Sequence, residues 1–358
     1  MNERQALLAL VLSPGFGPVT LKRLLKEVKT PLEIFSLPKE KLNACGFKGD
    51  RPRLEEAFLR ARREEQALRR LGASYVTLYD EEYPPLLREI PDPPPVLFYQ
   101  GRLPGTEPAL AVVGSRAATS YGLTVTREWV SVFARAGLAV ISGLALGIDR
   151  AAHESALRNG GLTFAVLGCG LDVNYPAPNA ALRREMLEKG GGLLTEFPLG
   201  TRPKAGNFPI RNRLISGLSQ AVLVVEASPK SGSLITARLA GEQGREVFAV
   251  PGPVYSLRSH GCHLLLRDGA QLADKPEDVL SYFGALVGRV PDEVQELTLG
   301  PEEAKVLEHL KREPLSVDEL VYLTGLGIEE VVATLTSLEI EGLVERLPGN
   351  SYRRTLGR

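Results

Sequence analysis

From Ala109 onward, short apolar runs alternate with longer stretches whose apolar positions recur at helical spacing. The runs at 110–113, 138–141, 163–167, 192–195, 222–226 and 246–250 are short and almost uniformly apolar. They read as strands buried on both faces. Between them, 148–158, 180–189 and 234–243 carry the helical period. Strand and helix in alternation predict an α/β fold, an extended Rossmann-like, doubly wound parallel sheet spanning 73–285.

The flanks have other patterns. Residues 1–72 repeat apolar positions at helical spacing in 6–12, 21–28 and 54–71 and read as a helical domain. Gly turns interrupt them at Pro14-Gly-Phe-Gly-Pro18 and Cys45-Gly-Phe-Lys-Gly49. A Gly-x-Gly turn between helices can present N–H groups to a phosphate, but Gly15-Phe16-Gly17 has no basic neighbour before Lys22, and a bundle with Gly turns accounts for it equally well. The Pro-rich stretch 83–101 reads as an extended lead-in, because Pro fits neither helix interior nor central strand. Residues 286–300 read as a linker. Residues 301–358 give three helices and a hairpin with a turn at Pro348-Gly349-Asn350, the layout of a winged helix. Its recognition helix, expected at 328–342, carries Glu329, Glu330, Glu339 and Glu341 and no Lys or Arg. A role in contacting protein or in regulation is expected of it rather than DNA reading.

The 358 residues allow two or three domains, and 44% hydrophobic with 24% charged residues is ordinary for a soluble chain. Forty-three basic and 43 acidic residues give a net charge of +0. A protein that coats duplex DNA carries a basic excess, so any nucleic-acid site must be locally basic. Cys45, Cys169 and Cys262 are far apart and form no CxxC pair, which argues against a disulfide framework or zinc ribbon. The start, Met1-Asn-Glu-Arg-Gln5, lacks a secretory pattern, and no apolar run is long enough for a membrane span. A cytoplasmic protein with no membrane association is expected.

Candidate chemistry gathers where the strands end. The first ends in Gly114-Ser115-Arg116, the second in Ser142-Gly143-Leu144-Ala145, the third in Gly168-Cys169-Gly170, and the fifth in Glu226-Ala227-Ser228 before Ser231-Gly232-Ser233. Ligands of doubly wound sheets bind at this edge, where Gly admits close backbone approach and Ser adds a hydroxyl. Phe208, Arg211, Asn212 and Arg213 add a ring, two guanidiniums and an amide within six residues. A Gly/Ser turn at a helix start beside Arg and a stackable ring suits a phosphate-and-base ligand. The same residues also serve as ordinary helix braces.

Together these motifs resemble the DprA/Smf family (DNA-processing protein A) over nearly the whole chain. The residues that carry the resemblance are Gly114-Ser-Arg116, Ser142-Gly-Leu-Ala-x-Gly-Ile-Asp149-x3-His153, Gly168-x-Gly170 and Tyr175-Pro176. Phe208-Pro-x-Arg-Asn-Arg213, Ser231-Gly-Ser-x2-Thr-Ala237 and Pro251-Gly252 complete them. The resemblance implies a Rossmann domain that binds single-stranded DNA without a nucleotide cofactor, between a sterile-alpha-motif-like domain and a winged helix. It implies a homodimer that protects incoming strands in natural transformation and loads a RecA-type recombinase. On that reading Arg116, Lys204, Arg211 and Arg213 meet phosphates and Phe208 stacks a base. Backbone N–H groups at Ser115, Gly143 and Ser231 to Ser233 cradle phosphate oxygens. One departure stands out: His263 replaces an Asn in Ser259-His260-Gly261-Cys262-His263. This places two His and a Cys together, too few spaced ligands for zinc.

Three enzymatic readings compete. Asp149 and His153, four apart on one helix face, could form an acid–base dyad with Ser115 or Ser142 as nucleophile, or merely brace the helix through a mutual hydrogen bond. A dinucleotide-dependent oxidoreductase lacks its fingerprint, since Arg116 stands where the second Gly belongs. A nucleotide-monophosphate phosphoribohydrolase of related fold would need a carboxylate after Thr236; the nearby carboxylate, Glu226, lies upstream. The expectation is a DNA-binding protein with no catalytic residues and no metal or cofactor.

Overall fold

The computed structural model describes residues 2–49, 52–286, 300–310, 314–340, 343–347 and 349–354. They fall into two compact units that divide between Arg289 and Val290. The expected linker lies almost wholly outside the described residues, as do Glu341 and Gly342 of the expected recognition helix and Pro348 of the hairpin turn.

The first unit is built on a nine-stranded sheet of order β1-β2-β6-β5-β4-β3-β7-β8-β9. In chain order these are β1 (Ala73–Thr77), β2 (Val96–Gly101), β3 (Ala109–Val113), β4 (Ala139–Ser142), β5 (Thr163–Val166), β6 (Gly192–Thr195), β7 (Ala221–Val224), β8 (Glu246–Ala249) and β9 (Gln271–Leu272). From β6 to β9 all neighbours are parallel, while β1 and β2 add an antiparallel end. The six strands expected from the apolar runs are present within two residues. The Pro-rich lead-in is corrected. Pro93 to Pro95 stop just short of β2, which then runs as a full strand between β1 and β6.

Alternate side chains of the central strands feed two cores, as the period of two requires. Ala111, Val113, Val222 and Val224 pack with Leu214, Ile215 and Ala237 from the helices Asn207–Gly217 and Gly232–Glu242. Leu110, Val112, Val140 and Leu223 pack on the other face with Trp129, Phe133 and Ile148 from Ser120–Arg135 and Ile148–Arg158. The N-terminal helices join the same unit. Leu7, Leu8, Ala57 and Ala61, from Glu3–Val11 and Leu54–Arg70, share a core with Tyr75, Phe98 and Leu193 of the antiparallel end. The Gly15-Phe16-Gly17 turn serves packing, its ring lying 4.4 Å from that of Phe47.

The second unit has its own core of Val306, Leu307, Leu320, Val331, Leu335 and Leu338. Helices Pro301–His309, Val317–Thr324 and Ile328–Ile340 precede a hairpin of Val344–Leu347 and Ser351–Arg354. This is the expected winged helix. Among the described residues, no single helix is long and apolar enough to cross a membrane.

Candidate functional site

The strand order reverses at β3. From there β4, β5 and β6 build out to one side, and the chain returns to place β7 and β8 on the other. The loops after β3 and β7 therefore diverge and leave a crevice at the carboxyl edge. A cleft of about 750 Å³ lies there, lined by Gly114, Ser115, Arg116, Phe208, Arg211, Asn212 and the Ser231-Gly232-Ser233 turn.

Helix Asn207–Gly217 supplies the floor. Successive residues of a helix turn by about 100°, so positions three, four and seven apart share a face. Phe208, Arg211, Asn212 and Ile215 all line the cleft. Arg213, two residues beyond Arg211, is carried to the far side. There its guanidinium pairs with the buried Glu196 and with Asp92 at 3.3 Å, and donates to the Asp92 carbonyl at 2.8 Å. The phosphate contact expected of Arg213 is thus corrected to a buried brace. Burial pushes the Glu196 carboxyl up to about 7 although Arg213 pulls it down.

Arg211 is itself buried beneath the cleft. Its Nη1 donates to the Gly143 carbonyl at 2.7 Å and to the Val166 carbonyl, tying the ends of β4 and β5 together. Burial lowers its pKa to about 10, and the Asp149 charge pulls it back up. Asp149 accepts from the Gly143 N–H at 3.2 Å and the Ala145 N–H at 3.3 Å. The amide of Gly143, expected to cradle phosphate, is therefore already engaged. Burial raises the Asp149 carboxyl, opposed first by Arg211 and then by those two amides.

The Asp149–His153 pairing does not form. His153 Nδ1 meets Thr163 Oγ1 at 2.6 Å. That hydroxyl donates to the Val140 carbonyl, so it accepts from the ring. Burial and then Arg211 push His153 down to about 3, leaving a neutral core imidazole rather than an acid–base partner. Ser142 is buried with its hydroxyl on the Val112 carbonyl at 2.6 Å, and Leu144 is buried at a φ of 56°. Neither presents its side chain to the cleft. Glu226 holds Thr119 through both oxygens, at 2.9 Å to the amide and 2.6 Å to the hydroxyl. It positions the loop after β3.

The remaining groups face open space. Arg116 is exposed, and its guanidinium lies 5.1 Å from the Phe208 ring centroid, with no ion pair among the described residues. Phe208 is half-buried against Gly168, where a Cβ would come within 2.8 Å of the ring, and Tyr175 stands 5.7 Å away. Tyr175 joins the site as a second ring that sequence reasoning missed, its one signal being the Tyr175-Pro176 pair. Ser231 caps helix Gly232–Glu242 and its hydroxyl meets that of Ser233 at 2.8 Å, while Asn212 Nδ2 donates to the Gly232 carbonyl at 3.1 Å. Lys204 is exposed on the rim between the lining residues Pro203 and Ala205. The arrangement offers an exposed guanidinium, an aromatic face and a helix start, the elements that take a phosphate and a base. His260 and His263 each face a backbone carbonyl, and among the described residues no cluster of three His, Cys, Asp or Glu could hold a metal ion.

The family model for DNA recombination-mediator protein A matches residues 74–284, more than half of the chain. This chain belongs to that family. The model of the DprA winged helix domain matches 290–350. Among similar proteins, Protein Smf of Synechocystis is 41% identical over 318 residues, covering 78% of this chain and 80% of the relative. Protein Smf of Escherichia coli is 43% identical over 281 residues, 76% and 75% of the two chains. The X-ray structure of DNA processing protein A from Streptococcus pneumoniae is similar with a TM-score of 0.67 and 34% identity, covering 78% of this chain and 98% of that one. The Helicobacter pylori DNA processing protein A, described for its single-stranded DNA binding mode, gives 0.54 and 31%, covering 59% and 95%. The cleft lies within the part matched by the recombination-mediator model.

Proposed function

We propose that this family member binds single-stranded DNA in the switch-point cleft, protects incoming strands during natural transformation and loads a RecA-type recombinase onto them. It acts in the cytoplasm as a homodimer and catalyses no covalent step. The observation that carries the binding role is the Arg116 guanidinium over Phe208, facing the start of helix Gly232–Glu242 across one cleft. Phosphate is drawn to the guanidinium and helix start, while a base stacks on the ring, and neither interaction reads base edges. Weak sequence preference follows. The single-stranded DNA binding mode described for the Helicobacter pylori relative supports the same ligand.

The homodimer forms at the sheet's open end. The short strand β9 ends the sheet with Leu272 54% exposed, and Leu264 is 41% exposed on the preceding helix. An open edge with apolar side chains is a ready pairing surface, and two clefts on one dimer would raise affinity for a long strand. The test compares single-stranded and duplex oligonucleotides by fluorescence anisotropy at matched salt, with light scattering on the same samples. Tighter single-strand binding by a dimer is expected. Equal affinity for both DNAs, or monomer alone at micromolar concentration, would overturn the corresponding half. A strand-exchange assay with a RecA-type recombinase on DNA coated by a single-strand-binding protein tests loading.

A further inference from the structure

The loop 251–259 and the His-rich turn after it play no part in the cleft, yet they stand on the same carboxyl edge, following β8. The loop is pinned along its length. The Tyr121 hydroxyl donates to the Pro251 carbonyl at 2.6 Å, His263 Nε2 to Gly252 at 3.1 Å and His260 Nε2 to Val254 at 3.0 Å. A carbonyl only accepts, so both imidazoles carry a proton on Nε2. At the far end the Ala227 N–H donates to the Arg258 carbonyl at 2.8 Å, which fastens the loop to the strand end leading into Ser228 and Ser231 of the cleft.

A loop so firmly held nevertheless turns its apolar side chains outward. Val254 is 67% exposed, Leu257 70% and Tyr255 97%. Arg258 on the loop and Lys230, two residues past Ser228, are exposed and form no ion pair among the described residues. Contiguous apolar groups rimmed by one sign of charge mark an interaction site. Two His residues spent on fixing the backbone beneath an uncovered ring point to a platform.

We propose that Tyr255 is a second base-stacking subsite for a single DNA strand leaving the cleft past Ser228, with Lys230 and Arg258 meeting its phosphates. The inference rests on the single-strand reading of the cleft. A strand is favoured over a second copy of this chain for two reasons. The loop is continuous with the cleft through the Ala227–Arg258 hydrogen bond. The flanking charges are both positive, so two copies meeting face to face here would repel.

The test measures anisotropy with oligo-dT of about six nucleotides, enough for the cleft, and of about 25, enough to reach the loop. Tyr255→Ala is expected to weaken the longer strand roughly five- to a hundredfold and leave the shorter one unchanged. Tyr255→Phe should bind like the parent, because the ring face is what matters. Tyr255→Trp adds a reporter whose emission should be quenched by the longer strand, against a single native Trp129 that is buried at 2%. Unchanged affinity of Tyr255→Ala for the longer strand would overturn the subsite, as would equal losses on both lengths. Loss of the dimer in light scattering would assign the ring to a contact between copies instead. If the parent protein binds neither strand, the cleft reading itself falls and the subsite with it.

Discussion

Arg211 and Arg116 lie at one cleft, and the structure gives them opposite duties. Arg211→Ala removes a buried guanidinium that holds the Gly143 and Val166 carbonyls and faces the buried Asp149. Each buried carbonyl left without its donor costs about 1–3 kcal/mol, and Asp149 loses the cation that most offsets its burial. The loss has a pH signature. The Asp149 carboxyl in the folded protein is raised by burial, and Arg211 is the strongest influence holding it down. Without Arg211 it rises further. A carboxyl with a raised folded pKa stabilises fully below its unfolded value, and that stability is lost as pH rises through the folded value. The deficit of Arg211→Ala should therefore be smaller at about pH 5 than at about pH 8. Arg211→Lys keeps the charge but not the planar fork and should fall between the two.

Arg116→Ala removes an exposed side chain whose one described contact is the Phe208 ring, so stability should change by about 0.5–1 kcal/mol at most. Single-stranded DNA binding should weaken, with the slope of log affinity against log salt reduced by about 0.7, the share of one phosphate on a single strand. Urea denaturation at the two pH values gives the first comparison, and anisotropy across a salt series gives the second. If Arg211→Ala unfolds like the parent and lowers the salt slope, Arg211 is a phosphate ligand and the buried-brace argument fails.

Three further outcomes are expected. Phe208→Ala should cost about 1–3 kcal/mol of binding with the salt slope nearly unchanged; a folded variant that binds like the parent in anisotropy would make the ring mere packing against Gly168. Glu196, shifted by burial from 4.5 to about 7, gives stability that is full below pH 4.5 and lost as pH rises through about 7, a fall of about 3 kcal/mol. Glu196→Gln should flatten that part of the urea-derived stability profile, and an unchanged profile would refute the assignment. Deleting residues 300–358 should leave DNA affinity unchanged, because helix Ile328–Ile340 exposes Glu329, Glu330 and Glu339 and carries no Lys or Arg; a marked loss in the same anisotropy assay would show that the winged helix reads DNA after all.

How far the chain could be read depended on whether one local period decided the matter. β3 and β7 were plain, because Ala-Leu-Ala-Val-Val and Ala-Val-Leu-Val are short, rich in Val, wholly apolar and buried throughout. β1 and β2 were not. β2 pairs with β6, a long-range event, β1 joins the sheet only through β2, and the prolines just before β2 mask that strand. β9 is two residues long and carries no period at all. The Gly/Ser strand ends were legible as a group because sheet topology brings every such end to one edge, whatever the details of each loop.

The cluster at Phe208 to Arg213 shows what composition without geometry leaves out. Read as a list, it offers two equivalent arginines. Read as a helix, it separates them by about 200°, so their side chains leave on opposite faces. The spacing of Phe208, Arg211, Asn212 and Ile215 already contains that face. What it does not contain is the depth at which Arg211 sits, which depends on the ends of β4 and β5 closing over it. One helix thus serves both the ligand and the fold. Its cleft side gives Phe208 to the ligand and Arg211 to the strand ends beneath, while its far side anchors Arg213 on Glu196 and Asp92. A ligand pulling on Phe208 works against a helix clamped on two sides by buried charges. The ring is held in place before a base arrives, and little ordering remains to be done on binding.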